Sequence, residues 1–169
     1  DRNFSLEHIR QEYPVYGTTD YRHPAIEILQ KNGSRISEFV YEGYEITAGK
    51  VKLQGLPATY TESDEEAMTL RVYLKDALTG VLLELLYTVF SEYNAIARSV
   101  CVKNAGTETV HLLNVMSLSL DLPDQDYVWM QLSGAWARER YIKERTLEQG
   151  ITAIDSRRGN SSHEHNPFM

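Results

Sequence analysis

Apolar and polar residues alternate along most of this chain with a period of two, the repeat of a strand whose successive side chains take opposite faces. The clearest run is Met68-Thr69-Leu70-Arg71-Val72-Tyr73-Leu74-Lys75; the next, residues 81–90, is apolar on both faces apart from Glu84 and Thr88. Asp76-Ala77-Leu78-Thr79-Gly80 reads as a hairpin loop between them, and Asn104-Ala105-Gly106 joins 95–103 to 107–120 in the same manner. Asn32-Gly33, between 25–30 and 35–41, is the strongest short hairpin signal, because both residue types tolerate the positive φ of a type I′ turn. Further strands are expected over 127–132, 139–147 and 151–155. Helix signals are scarce: 5–11 predicts one short helix capped by Ser5, and 62–66 a polar loop or a single helical turn. This spacing predicts an all-β fold, two packed antiparallel sheets forming a β-sandwich with at most short helices.

Composition narrows the function classes. Of 169 residues, 42% are hydrophobic and 24% charged, the balance of a soluble globular chain with one domain as the default. The formal net charge of −7 and the absence of a basic stripe argue against nucleic acid as a partner. No apolar stretch reaches the length of a membrane span, so no membrane association is expected. The single Cys101, in the alternating run Ser99-Val100-Cys101-Val102, reads as a buried structural thiol and weakly favours a reducing compartment. The chain begins with Asp1 and shows no secretory leader, which reads as a processed chain or an excised fragment.

Searches for familiar chemistry return mostly absences. There is no phosphate-binding Gly loop, no nucleophile elbow and no paired Cys-x-x-Cys, so nothing implies a cofactor. His163-Glu164-His165 places two imidazoles on one side of a strand, but no further ligand at suitable spacing follows, and a polar loop is the better reading than a metal site. A glycosidase needs two carboxyl groups opposed across the scissile bond, a distance that sequence alone cannot supply. The cluster Asp121, Asp124 and Asp126 surrounds Pro123 and reads as a solvated loop. Asp20 is different. It lies in Tyr16-Gly17-Thr18-Thr19-Asp20-Tyr21-Arg22-His23-Pro24, whose aromatic, acidic and guanidinium groups suit sugar faces and hydroxyls, the bland alternative being an ordinary turn. Leu132-Ser133-Gly134-Ala135-Trp136-Ala137-Arg138-Glu139-Arg140 reads equally as a sugar platform or a strand crossing with paired charges, and the polar tail from Asp155 to Phe168 as a binding loop.

These segments also carry a resemblance. Phe4-Ser5-Leu6-Glu7-His8-Ile9-Arg10-Gln11-Glu12-Tyr13-Pro14, the Tyr-Gly-x-Thr-Asp-Tyr-Arg loop, Gly55-Leu56-Pro57-Ala58-Thr59-Tyr60, 132–140 and the closing Ser-Arg-Arg-Gly-Asn-Ser-Ser-His-x-x-Asn-Pro-Phe occur in the order found in the amino-terminal region of glycoside hydrolase family 36, the large bacterial α-galactosidases. The resemblance implies that residues 1–169 are part of a galactose-mutarotase-like β-supersandwich, with a (β/α)₈ catalytic barrel and a smaller β-domain outside this chain. It implies a retaining double displacement by two Asp residues of the barrel. The family's Lys-Trp-Asp nucleophile motif is absent here, so no catalytic residue is assigned. In tetrameric members the loop around the matched Asp reaches the substrate pocket of a neighbouring subunit, which gives Asp20 a substrate-binding role. Tyr21, Arg22 and Trp136 are further substrate-binding candidates, Arg22 by holding the loop or orienting Asp20, and Tyr16, Arg138, Arg140, His163 and Asn166 are supporting ones.

The expectation is therefore a non-catalytic piece of a cytoplasmic, homo-oligomeric enzyme that acts on α-galactosides such as melibiose and raffinose-type oligosaccharides. Its partners are its own barrel and neighbouring subunits. A stand-alone carbohydrate-binding sandwich is the alternative, and would display an aromatic stripe such as Tyr41, Tyr44 and Trp129. A third reading is a purely structural oligomerisation module.

Overall fold

A strand with apolar residues on alternate positions must bury that face, and here the burying is done by pairing distant parts of the chain. The computed structural model describes residues 6–18, 21–55, 58–123, 125–155 and 165–166. Among the described residues nine strands form three antiparallel sheets and the helical content is limited to 3₁₀ turns, so the fold is all-β as the alternation predicts. The chain forms two compact units, residues 1–122 and 123–169.

In the first unit, β1 (Ile26–Leu29) pairs with β6 (His111–Val115), and β2 (Phe39–Ala48), β3 (Met68–Asp76), β4 (Val81–Phe90) and β5 (Ala95–Asn104) form a four-stranded sheet in that order. The core lies between them: Ile26 and Ile28 of β1 meet Val81, Leu83 and Leu85 of β4, all at most 2% exposed. Val72, Leu74, Val100 and Val102 extend it, as their cross-strand pairing with β4 requires. Glu84 and Cys101 pair on the opposite side of the sheet. Cys101 is accordingly exposed, which corrects its reading as a buried thiol: the alternation is real, but Val100 and Val102 hold the inward phase.

Two of the expected hairpins are also corrected. The Asn32-Gly33 turn forms, with Gly33 N–H donating to Gln30 O and Gln30 N–H to Ser34 O, but 35–38 is not strand. The chain crosses to the other sheet, and β1 takes β6 as its partner. Likewise the loop at Asn104-Ala105-Gly106 carries the chain from β5 across to β6, and 107–120 contributes only His111–Val115. The third hairpin, β3 to β4, forms as expected around Asp76, and β4 has the predicted limits. Asp64–Glu66 makes the single helical turn, its start held by Glu66, whose carboxylate accepts from Glu62 and Ser63 N–H. The expected helix over 5–11 is only the 3₁₀ turn Leu6–His8.

In the second unit, β7 (Val128–Ala135) pairs with β8 (Arg138–Thr146) on one side and with the short β9 (His165–Asn166) on the other. Residues 151–155 form no strand.

Candidate functional site

The loop singled out by sequence is closed at its base. Ala25 N–H donates to Pro14 O at 2.8 Å, and Val15 bridges Ile26 in parallel, so residues 16–24 leave and re-enter the first unit at neighbouring points. Asn114 on β6 donates to Pro24 O at 2.7 Å, and Met116 N–H to Ala25 O at 2.8 Å, pinning the returning arm. On the leaving arm, Arg35 stacks over the Tyr16 ring at 4.5 Å, donates to its hydroxyl at 3.1 Å and reaches the Glu27 carboxylate at 2.7 Å. Gly17 follows at φ +97, where a Cβ would stand 2.8 Å from Ile36 Cγ1, so a side chain there meets both backbone strain and a neighbour.

Arg22 is turned back into the fold. Its guanidinium pairs with Asp121 and donates to Leu6 O and Ile9 O at 3.2 and 2.8 Å. Asp121 also accepts from Gln11 N–H at 2.9 Å, so this pair ties three stretches of the first unit together. Asp121 is thus an anchor and not a solvated loop carboxylate. These contacts tie the loop to the body of the first unit. Tyr21 is 89% exposed. Asp20, the residue before Tyr21, lies outside the described residues.

Trp136 sits at the tip of the β7–β8 hairpin and is 82% exposed. The tip is tight: Ala137 takes φ 61 and its N–H donates to Glu139 Oε1 at 2.8 Å, while a Cβ on Gly134 would lie 2.0 Å from Arg138 O. The segment 132–140 is therefore a hairpin presenting an indole, with Arg138 and Arg140 both exposed. Trp129, on β7, is flanked by Arg145 at 5.1 Å. It belongs to the second unit, whereas the exposed Tyr41 and Tyr44 belong to β2 in the first. Those two tyrosines pair with Leu74 and Val72 and continue the core-facing side of the sheet beyond the core itself. His163 lies outside the described residues, and Asn166 is described only through the pairing of β9 with Leu132. Among the described residues no group of three His, Cys, Asp or Glu is placed to hold a metal ion.

A polar cluster that the sequence reading missed lies at the inner side of β5. Arg98 is directly opposite Tyr87, with its guanidinium 3.7 Å above the ring, and both donate to Glu12 Oε1. Nearby, the hydroxyl of Tyr13 donates to Met116 O at 2.5 Å. Burial pushes the Tyr13 phenol up to about 12, and burial followed by the Glu12 hydrogen bond pushes Tyr87 up too, so both stay protonated donors across the physiological range. The signal was available: Arg98 occupies an inward phase in Ala95-Ile96-Ala97-Arg98-Ser99-Val100, where alternation calls for an apolar residue.

Comparison with known proteins gives this geometry a family. The model described as glycosyl hydrolase family 36 N-terminal domain matches residues 1–169. The chain is 48% identical to α-galactosidase AgaA of Geobacillus stearothermophilus over its whole length, and 40% identical to α-galactosidase Mel36A of Lactobacillus acidophilus. It covers 23% of each, so it spans about a quarter of the length of these relatives. The AgaA crystal structure superposes with a TM-score of 0.93 over 99% of this chain and 23% of that one. The α-galactosidase of Lactobacillus brevis does so with 0.91 at 41% identity over 98% of this chain and 22% of that one. A variant of AgaA has been solved in complex with raffinose. Matched by the family model from first residue to last and sharing the fold of its solved relatives, the chain belongs to the glycosyl hydrolase family 36 N-terminal domain family.

Proposed function

We propose that this chain is the amino-terminal sandwich of a cytoplasmic α-galactosidase, which releases terminal α-linked galactose from raffinose-type oligosaccharides with retention. Its share is to support oligomer assembly and to close the substrate pocket, while the nucleophile and the acid/base belong to polypeptide outside these residues. The observation that carries the reading is the match of the whole chain to about a quarter of an α-galactosidase at 48% identity. The described part of the loop of residues 16–24 supports the pocket role: it is tied at its base and through Arg22, and its Tyr21 is exposed to solvent. Rigid anchoring is what a loop needs if it is to offer a carboxylate to sugar hydroxyls at low entropic cost. The exposed apolar side of β2, with Tyr41, Tyr44 and Ile46, offers surface for another part of the assembly to cover.

The test is kinetic. In the full-length enzyme, Asp20→Ala is expected to lower kcat/KM on an aryl α-galactoside roughly 10- to 100-fold, the loss of a hydrogen bond to a charged group, with the thermal midpoint unchanged. The 169-residue chain alone is expected to hydrolyse nothing. Turnover by that chain places the catalysts within it and overturns the proposal, and an unchanged kcat/KM removes Asp20 from the pocket.

A further inference from the structure

The loop of residues 16–24 is fastened twice, by backbone at its base and by side chains above it. At the base, Ala25 N–H donates to Pro14 O and Met116 N–H to Ala25 O, both at 2.8 Å, beside the bridge of Val15 to Ile26. Higher on the returning arm, the Arg22 guanidinium pairs with Asp121 and donates to Leu6 O at 3.2 Å and Ile9 O at 2.8 Å. The base bonds involve neither Arg22 nor Asp121. Removing that pair therefore leaves the loop closed at its root and loosens only what lies above it.

Asp121 is the charged member of the seat that receives Arg22. One of its oxygens, Oδ2, accepts from both Arg22 and Gln11 N–H, the latter at 2.9 Å, so the stretch that offers Leu6 O and Ile9 O also holds the carboxylate in place. The two side chains are 21% and 28% exposed, and water screens them less than the Arg35–Glu27 pair on the other arm, where Arg35 is 45% exposed. Of the two ion pairs, the one at Asp121 therefore has the stronger hold on the loop. Arg22 directly follows Tyr21, which is 89% exposed. Two soft dihedrals per residue separate neighbours, so seating Arg22 restricts the directions in which the loop can present an exposed side chain.

We infer that Asp121 is a positioning residue of the substrate pocket: through Arg22 it holds the loop of residues 16–24 in the conformation that meets the galactosyl group, without touching sugar itself. The inference rests on the proposal that this loop closes the pocket of an α-galactosidase. Its effect falls on binding. A loosened loop that visits the competent conformation only part of the time weakens substrate binding by that fraction, while the chemistry, performed by groups outside these residues, keeps its rate. Losing one part-buried charge-assisted bond changes such an equilibrium about tenfold, which sets the size of the effect.

The experiment measures kcat and KM of the full-length enzyme on an aryl α-galactoside, with thermal midpoints and amide exchange of the peptide covering 16–24. Asp121→Ala is expected to raise KM about tenfold with kcat within about twofold of the parent, and to speed exchange in 16–24 while β3 and β4 keep their rates. Asp121→Asn keeps a carbonyl oxygen where Oδ2 accepts both bonds, so it is expected to raise KM by only about threefold. In a background carrying Asp20→Ala and Tyr21→Ala, Asp121→Ala is expected to change kcat/KM by less than about twofold, because the contacts it positions are already gone. An unchanged KM for Asp121→Ala, beside a loss for Asp20→Ala, overturns the inference and leaves the pocket proposal standing. So does a tenfold loss that persists in the double background, or a fall in kcat and midpoint together that Asp121→Asn shares, since either makes Asp121 a structural residue only. If Asp121→Ala does not fold, Asp121→Asn decides: a raised KM supports the inference and an unchanged one overturns it. An Asp20→Ala enzyme as active as its parent sinks the pocket proposal itself, and the inference with it.

Discussion

Replacing Asp76 tests whether the β3–β4 hairpin is held by a single buried carboxylate. Asp76 is 2% exposed and ends β3. Its Oδ1 accepts from Leu78 N–H at 2.9 Å and Thr79 N–H at 3.2 Å, so the side chain builds the turn from inside, while Gly80 N–H donates to its backbone carbonyl at 2.9 Å. Its Oδ2 faces Glu38 N–H at the longer distance of 3.4 Å, linking the hairpin to the start of β2. Asp76→Ala removes both acceptor oxygens and with them all three hydrogen bonds. Two good bonds to a charged acceptor at about 1.5 kcal/mol each and one weak bond at about 0.5 give an expected loss of about 3–4 kcal/mol. Asp76→Asn keeps an oxygen for Leu78 and Thr79 and turns its amide toward Glu38 N–H, so the expected loss is about 1–2 kcal/mol. Both tryptophans lie in the second unit, beyond residue 122, so the measurement is amide exchange of β3 and β4 peptides followed by mass spectrometry. Equal losses for Ala and Asn mean that charge and not acceptor geometry holds the turn. An Ala variant within about 0.5 kcal/mol of the parent refutes the reasoning altogether.

Leu83, 1% exposed at the centre of the core, is expected to cost about 3–4 kcal/mol as Leu83→Ala, measured by the same exchange; a loss under 1 means the core between the two sheets is not formed. Gly106→Ala would put a Cβ 2.0 Å from Thr79 O, backbone that cannot swing away, and is expected to cost about 2 kcal/mol or more, whereas Gly43→Ala meets nothing within 4 Å and is expected to be neutral or slightly stabilising. For pH, the folded Tyr13 pKa of about 12 exceeds its ordinary 10, so the folded state holds its proton longer than the unfolded one. That contribution is whole below pH 10 and lost as pH rises toward 12; Tyr13→Phe is expected to flatten thermal midpoints across that window, and an unchanged slope assigns the decline to other groups.

How much of this was legible follows from the range of each interaction. Strands β3, β4 and β5 were readable because their signal is local: alternation within a run and a turn residue at its end. The loop at Asp76 to Gly80 was readable for the same reason, since its side chain bonds within three residues. The partner of β1 was not, because Asn32-Gly33 dictates only that the chain turns, and whether the next segment pairs back or crosses is decided by which apolar faces must meet. Ile26 and Ile28 are wholly buried only when β1 lies over Val81 and Leu83, more than fifty residues away, and that demand outweighs the local hairpin. Cys101 failed in a different way: alternation fixes that neighbours face opposite sides but leaves open which phase is inside, and Glu84 across the ladder held the answer. The site divides along the same line. Tyr21 and Arg22 were found together as a polar loop, yet one is exposed to solvent and the other pairs with Asp121, a partner 99 residues distant that read as an ordinary surface turn. A polar residue in an inward phase, as at Arg98, is therefore the more informative sequence signal, since burying a cation demands a partner wherever in the polypeptide that partner resides.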